Sequence, residues 1–269
     1  MKENNITKIK ELEKRFKVLK PNNEEYYEIL LKLSREYRDK KSYEKAQELL
    51  EEGVKKAKQN NYILYLSDIF RSLSFVNLQR GDIEKALELS KKALSVIKYK
   101  KGKDAQKIKA NIYAILGNIY FTKKNYKKAL IKYKKGLKKS KESNFKVREI
   151  TLIGDIANVY IAQNKLKKAK NLLLTIKDDA KKYYEYAVPQ IILRLGRIEY
   201  LQSNNKRAKA HVLEAIQIAK DNKWKRDVAE ATEALGRIYL KEGNQKRANL
   251  ELDKANNIFQ ELGLSKREF

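Results

Sequence analysis

Apolar, small and polar positions along this chain return on a ruler of about forty residues. Alanine stands at Ala46, Ala86, Ala129, Ala169, Ala208 and Ala248, at intervals of 40, 43, 40, 39 and 40 residues. Thirteen residues before each alanine is a large aliphatic side chain: Leu33, Leu73, Leu116, Ile156, Leu195 and Leu235. The position after it is always small: Ser34, Ser74, Gly117, Ala157, Gly196 and Gly236. Seven residues beyond the alanines come Gly53, Ala93, Gly136, Ile176, Ala215 and Ala255. A fixed period of this size predicts one structural unit stacked many times.

Close helix packing gives the pattern its physical sense. Two antiparallel helices approach closely only where both present small side chains, with larger neighbours filling the flanking grooves. Each unit therefore reads as a leading helix, a short turn and a trailing helix. Polar turn residues fall between the two: Lys41-Ser42, Gly81-Asp82, Lys124-Asn125, Asn164-Lys165, Ser203-Asn204 and Gly243-Asn244. Ahead of the first unit, Ile6, Ile9, Leu12, Phe16 and Leu19 keep helical spacing, which predicts an N-terminal capping helix over residues 1–22, closed by Pro21-Asn22-Asn23. Units are expected over 24–61, 62–103, 104–143, 144–181, 182–221 and 222–262, with a short tail at 264–269. The continuous register argues for one array.

The combination resembles the tetratricopeptide repeat (TPR) family over about 240 of the 269 residues. The residues that carry the resemblance are Leu116-Gly117-Asn118-Ile119-Tyr120 followed by Ala129, Tyr133 and Gly136, and Leu235-Gly236-Arg237-Ile238-Tyr239 followed by Ala248 and Ala255. Tyr37 and Tyr160 repeat the tyrosine; Asn77 and Glu199 depart from it, and Ile176 departs at the last small position. The period here is near 40, against about 34 in the usual repeat. Long-period relatives of this kind include kinesin-light-chain-like adaptors and bacterial peptide-sensing regulators. The resemblance implies an all-α, right-handed α-solenoid of six antiparallel helix pairs that acts as a non-catalytic protein-interaction scaffold.

Composition agrees with a helical array: 2 prolines and 10 glycines in 269 residues. With no cysteine, disulfides and thiolate metal sites are excluded. There is no apolar run of membrane-spanning length and no signal-peptide core near the N-terminus, so a cytoplasmic protein is expected. Neither a glycine-rich phosphate loop nor a nucleophile elbow is present, and the lone His211 has no second metal ligand nearby in sequence; no enzyme activity, cofactor or metal is expected. Tyr62, Phe145, Tyr184 and Trp224, each eleven residues before a large aliphatic residue of the ruler (Leu73, Ile156, Leu195 and Leu235), are expected to staple the chain as it enters a leading helix. At the other end nothing downstream caps the last unit. Either the tail folds back over it, or Phe259, Leu262 and Phe269 form a docking or self-association surface.

Binding chemistry is expected on the face of the leading helices opposite the leucine–small pair. Two residues after the leucine stand Arg35, Phe75, Asn118, Asn158, Arg197 and Arg237. The resemblance assigns to Asn118 and Asn158 the hydrogen bonding of an extended peptide's backbone. A carboxamide suits that task because it carries both donor and acceptor. Arg35, Arg71, Arg197 and Arg237 would read carboxylates, and Phe121 and Tyr200 would line apolar pockets of the groove. The expected partner is a protein or peptide. The net charge of +28 supplies a rival reading. Residues 98–146 hold 17 lysines against Asp104 and Glu142, including Lys127, Lys128, Lys132, Lys135 and Lys139. Such a surface attracts nucleic acid or another polyanion. With 49 lysines to 13 arginines, it is suited to weak attraction without sequence preference.

Overall fold

The structure, a computed structural model, describes residues 2–263 and the side chains of residues 7–263. Among the described residues there are thirteen α-helices, a single 3-10 turn at Glu185–Ala187 and no strand. Helix α1 (Lys2–Val18) comes first. Leading and trailing helices then alternate: α2 (Glu24–Asp39) and α3 (Tyr43–Gln59), α4 (Ile63–Arg80) and α5 (Ile83–Val96), α6 (Lys103–Thr122) and α7 (Tyr126–Glu142). They continue with α8 (Lys146–Ala162) and α9 (Leu166–Tyr183), α10 (Val188–Leu201) and α11 (Asn205–Asp221), α12 (Lys225–Lys241) and α13 (Gln245–Glu261). The chain divides into two compact units, Met1–Arg148 and Glu149–Phe269.

The alanine ruler marks the helix crossings. All six alanines are completely buried, and so are Ala93, Ala215 and Ala255 seven residues on. At Ser74, Gly117, Gly196 and Gly236 the small residue of a leading helix faces the position sixteen residues later on the trailing helix. A β-carbon at Gly236 would lie 2.8 Å from Leu252 Cγ, and one at Gly196 would lie 3.3 Å from Val212 Cγ2. At Gly117 it would overlap the ring of Tyr133. Between α4 and α5 the partners are both serines: Ser74 Oγ lies 2.6 Å from Ser90 Oγ and donates to Ala86 O at 2.7 Å. The spacing thus encodes where two helix axes come closest.

A second feature keeps the same ruler. Five residues before each alanine the backbone is left-handed, at Lys41, Gly81, Lys124, Asn164, Ser203 and Gly243. The next N–H then bonds back to the carbonyl five residues earlier, as in Asn125 N to Tyr120 O at 2.8 Å and Asn244 N to Tyr239 O at 2.9 Å. This closes the leading helix with a Schellman-type cap.

In the first unit α2, α4 and α6 lie side by side, with α3 against α2 and α4, and α5 against α4 and α6. Its core joins Tyr27, Leu30, Leu50, Ile69, Leu73, Ile112 and Leu116. Helix α1 packs on α2, where Phe16 meets Tyr26 at 4.8 Å and Glu13 accepts from the Tyr37 hydroxyl at 2.6 Å. In the second unit α10 lies beside α12, α11 packs between them, and one core runs from Ala157 and Leu173 to Ile192, Val212 and Leu235.

The departures from the repeat pattern have local compensation. Asn77 turns its amide onto Leu73 O at 2.9 Å. Glu199 is 2 % exposed and accepts from Lys170 Nζ at 2.7 Å and Asn204 Nδ2 at 3.0 Å. Two of the entry aromatics, Tyr62 and Trp224, stand at the N-caps of α4 and α12. Tyr62 packs on Tyr27 at 4.8 Å and donates to Asn22 O at 2.7 Å; Trp224 meets Tyr186 edge-on at 5.0 Å. At the C-terminal end the exposed-patch alternative fails for Phe259. Phe259 is buried against Ala229 and Ala255, because α12 supplies the surface that covers it, so it is no part of an exposed patch. Leu262 is exposed, and Leu264 and Phe269 lie outside the described residues.

Candidate functional site

Side-by-side packing of the leading helices puts residues one repeat apart within bonding reach. In the first unit Arg148 Nε donates to Asn111 Oδ1 at 2.7 Å, across 37 residues. In the second, Gln190 Nε2 donates to Asp227 Oδ1 at 2.6 Å, again across 37 residues, and to Glu230 Oε2 at 2.8 Å. The two ladders occupy equivalent positions on their helices.

Both asparagines expected to hold a peptide are half-buried on leading helices and already carry one bond each. Asn118 Oδ1 accepts from the Tyr133 hydroxyl at 2.7 Å. Asn158 Oδ1 accepts from Arg194 Nε at 2.9 Å. Each carboxamide is thereby held in one orientation with its acceptor engaged, which leaves its N–H pair as the group to offer a ligand. Sequence reasoning missed this, since nothing in the spacing marks Tyr133 or Arg194 as partners.

The arginines divide. Arg71 pairs with Asp68 one turn earlier and also donates to Ser72 Oγ at 3.0 Å. Arg237 pairs with Glu233 at 2.9 Å. Both guanidinium groups are therefore neutralised on their own helix. Arg197 is half-buried on α10, and Arg35 is exposed on α2. Phe121 packs on Tyr126 at 5.7 Å. The ring of Tyr200 carries Lys241 Nζ 4.4 Å from its centre, and the same ammonium donates to Tyr200 O at 2.8 Å.

Carboxylates shape the first unit more than arginines do. A cavity of about 620 Å³ opens between α2, α4 and the start of α6, lined by Glu24, Glu28, Tyr62, Tyr65, Asp68 and Asp104 among others. The rings of Tyr62 and Tyr65 stand 6.0 Å apart at 74°, forming a corner, and Tyr27 stacks behind Tyr65 at 5.2 Å. Burial, reinforced by Glu24 and Glu28, pushes the Tyr65 hydroxyl up to about 12.

The basic stretch is sorted by helix geometry. Lys128, Lys132 and Lys135 share one stripe of α7. Lys139 Nζ instead donates to Glu142 at 2.7 Å, and Lys127 lies exposed off that stripe. No helix among the described residues is long and apolar enough to cross a membrane.

Comparison with known proteins accords with this geometry. The sequence profile of the Tetratricopeptide repeat matches residues 110–138, the segment that holds Asn118, Ala129 and Tyr133. No curated protein is matched by the sequence. Among solved structures, the chain is similar to the apo form of the quorum sensor NprR from B. thuringiensis, with TM-score 0.75 and 17% identity over 87% of this chain and 65% of that one. A Rap protein complexed with competence and sporulation factor gives TM-score 0.73 and 16% identity over 95% of this chain and 71% of that one. BtubC from P. vanneervenii gives 0.65 and 19% over 84% and 94%. The fold is that of the TPR-like helical-repeat proteins.

Proposed function

We propose that this chain is a non-catalytic interaction scaffold that binds an extended peptide on leading helices, at Asn118 in the first unit or at Asn158 in the second. The observation that carries the reading is the anchoring of the asparagine carboxamides. With Oδ1 tied to Tyr133 or Arg194, the side chain of Asn118 or Asn158 loses little rotamer freedom on binding, and its N–H pair meets a peptide carbonyl at reduced entropic cost. Support also comes from similar folds, one complexed with competence and sporulation factor and another with the Phr* peptide.

The chemistry of the face refines the ligand. Since Arg71 and Arg237 are already paired, reading of acidic side chains is disfavoured there. In the cavity of the first unit Asp68 and Asp104 are already paired with Arg71 and Lys107 and Lys100 shares the lining, so Glu24 and Glu28, beside Tyr62 and Tyr65, are the carboxylates that suit a lysine or arginine side chain, through ion pairing and ring contact. The test is selection of a random peptide library against the whole chain, followed by fluorescence polarisation of the peptides recovered. Basic side chains should be enriched, and Asn118→Asp and Asn158→Asp should weaken binding by about tenfold each, the equivalent of roughly one hydrogen bond. Equal affinity of both variants for every recovered peptide removes this face as the binding surface.

A further inference from the structure

We propose that residues 264–269 dock against α12 as the opening turn of a further leading helix, with Arg267 on Glu230. This docking is independent of the peptide reading above. The segment itself lies outside the described residues; the turn that delivers it and the surface that receives it lie within them.

The turn repeats a pattern. Asn61, Asn144, Lys223 and Gly263 each follow the end of a trailing helix, at φ of +57°, +53°, +59° and +63°. Each donates its N–H to the carbonyl three residues earlier, at 3.3, 3.1, 2.9 and 3.0 Å. After the first three come Tyr62, Phe145 and Trp224, and the next residue begins a leading helix. After Gly263 comes Leu264, in the same entry position. The register then continues. Five residues past the entry, Ser67, Ile150 and Ala229 are buried, and Phe269 is their counterpart. Arg267-Glu268 takes the places of Arg148-Glu149, so an apolar residue at each end with a charged pair between opens α8 and recurs over 264–269.

The ladder of leading helices fixes where Arg267 falls. Three residues past the entry, Arg148 meets Asn111 at 2.7 Å and Asp227 meets Gln190 at 2.6 Å, each across 37 residues. The same step back from Arg267 leads to Glu230. Glu230 and Asp227 both accept from Gln190 Nε2, and their mutual repulsion helps raise the Asp227 carboxyl. Arg226 already donates to Glu230 Oε1 at 2.9 Å. A carboxylate offers about four lone-pair sites, so a second guanidinium finds room there and eases the repulsion. Leu262, just before the turn, is exposed and adds apolar surface beside the site. Joined to α13 through Gly263, the segment reaches this surface intramolecularly, at an effective concentration that a free peptide or a second copy lacks.

The experiment is amide hydrogen exchange of the full chain, followed by NMR. In the docked turn the Leu264 N–H bonds to the Phe259 carbonyl and the Glu268 N–H to that of Leu264, as Trp224 N bonds to Ala219 O at 2.8 Å and Val228 N to Trp224 O at 3.1 Å. Both should exchange about tenfold more slowly than in a free peptide of residues 260–269, whereas the first-turn N–H of Lys266 should exchange as in that peptide. Arg267→Glu should remove the protection, and Arg267→Lys should keep most of it. Arg267→Glu combined with Glu230→Arg should restore it, and circular dichroism melting of each variant separates a lost contact from a lost fold. Peptide-like exchange throughout 264–269 would overturn the proposal, as would full protection in Arg267→Glu. So would failure of a folded double variant to restore it. Protection that rises with protein concentration would place a second copy's segment in the site and overturn the proposal as well.

Discussion

The Tyr133 hydroxyl donates to Asn118 Oδ1 at 2.7 Å while its ring fills the space above Gly117, the residue just before. One buried side chain of α7 thus closes the helix crossing and orients the carboxamide proposed above to meet a peptide. On that proposal, stability and binding at this position are coupled. Asn118→Ala should leave the Tyr133 hydroxyl without its acceptor and lower stability by about 1–3 kcal/mol. Asn118→Asp keeps the acceptor and removes the amide donors, so its urea unfolding midpoint should stay near that of the parent while peptide binding falls. Parent-like stability of the alanine variant would show that the bond contributes nothing.

Two glycines on leading helices should respond in opposite ways to alanine. At Gly117 the added methyl meets the Tyr133 ring, which is 2 % exposed and anchored at its hydroxyl. Overpacking there should cost about 1–3 kcal/mol. At Gly154 the nearest atom to a new β-carbon is Arg194 Nη1 at 3.7 Å, an ordinary contact. Alanine there should stabilise by about 0.5–1 kcal/mol through helix propensity. Thermal melts of the two variants shifting in the same direction contradict the packing account.

The turn register is testable at Gly243, where φ is +76° and an added β-carbon meets nothing within 4 Å. Gly243→Ala therefore isolates backbone strain from crowding. It should destabilise by about 1 kcal/mol, the lower range for an L-residue in left-handed geometry. An unchanged melting temperature refutes a dependence of the α12–α13 turn on that conformation.

Buried carboxylates in the second unit should give opposite pH signatures. The hydrogen bond from Lys170 holds the Glu199 carboxyl below its usual 4.5, against the opposing effect of burial. Its stabilisation is present above that unfolded value and lost as pH falls through the lower folded one. Glu199→Gln should therefore be less stable than the parent at neutral pH, with the gap closing in acid. Burial raises the Asp227 carboxyl above 3.8, and Glu230 adds to this while Gln190 and Arg226 oppose it. The Tyr186 hydroxyl, beside the carboxylate, also opposes the rise. Here the stabilisation is present below the unfolded value and lost as pH rises through the raised folded one. Asp227→Asn should gain on the parent as pH rises. Denaturant titrations across pH 3 to 7 that show parallel curves for both variants disprove the two assignments.

The sequence by itself determined the helix pairs and their crossings. Burial of Ala129 or Ala248 was legible because a close crossing demands a small side chain at fixed spacing, and that demand is local and periodic. Left-handed geometry at Lys41, Lys124 and Ser203 was not legible, since none of these residues favours it alone; the cap geometry of the whole turn imposes it. The location of Asn118 and Asn158 on leading helices was readable from register. Their engagement by Tyr133 and Arg194 was not, nor was the neutralisation of Arg71 and Arg237. Sequence left open whether Phe259 is covered or exposed, and α12 covers it. Only tertiary structure decides such matters, because a side chain's partner depends on which groups neighbouring helices bring within about 3 Å, and periodicity carries no record of that.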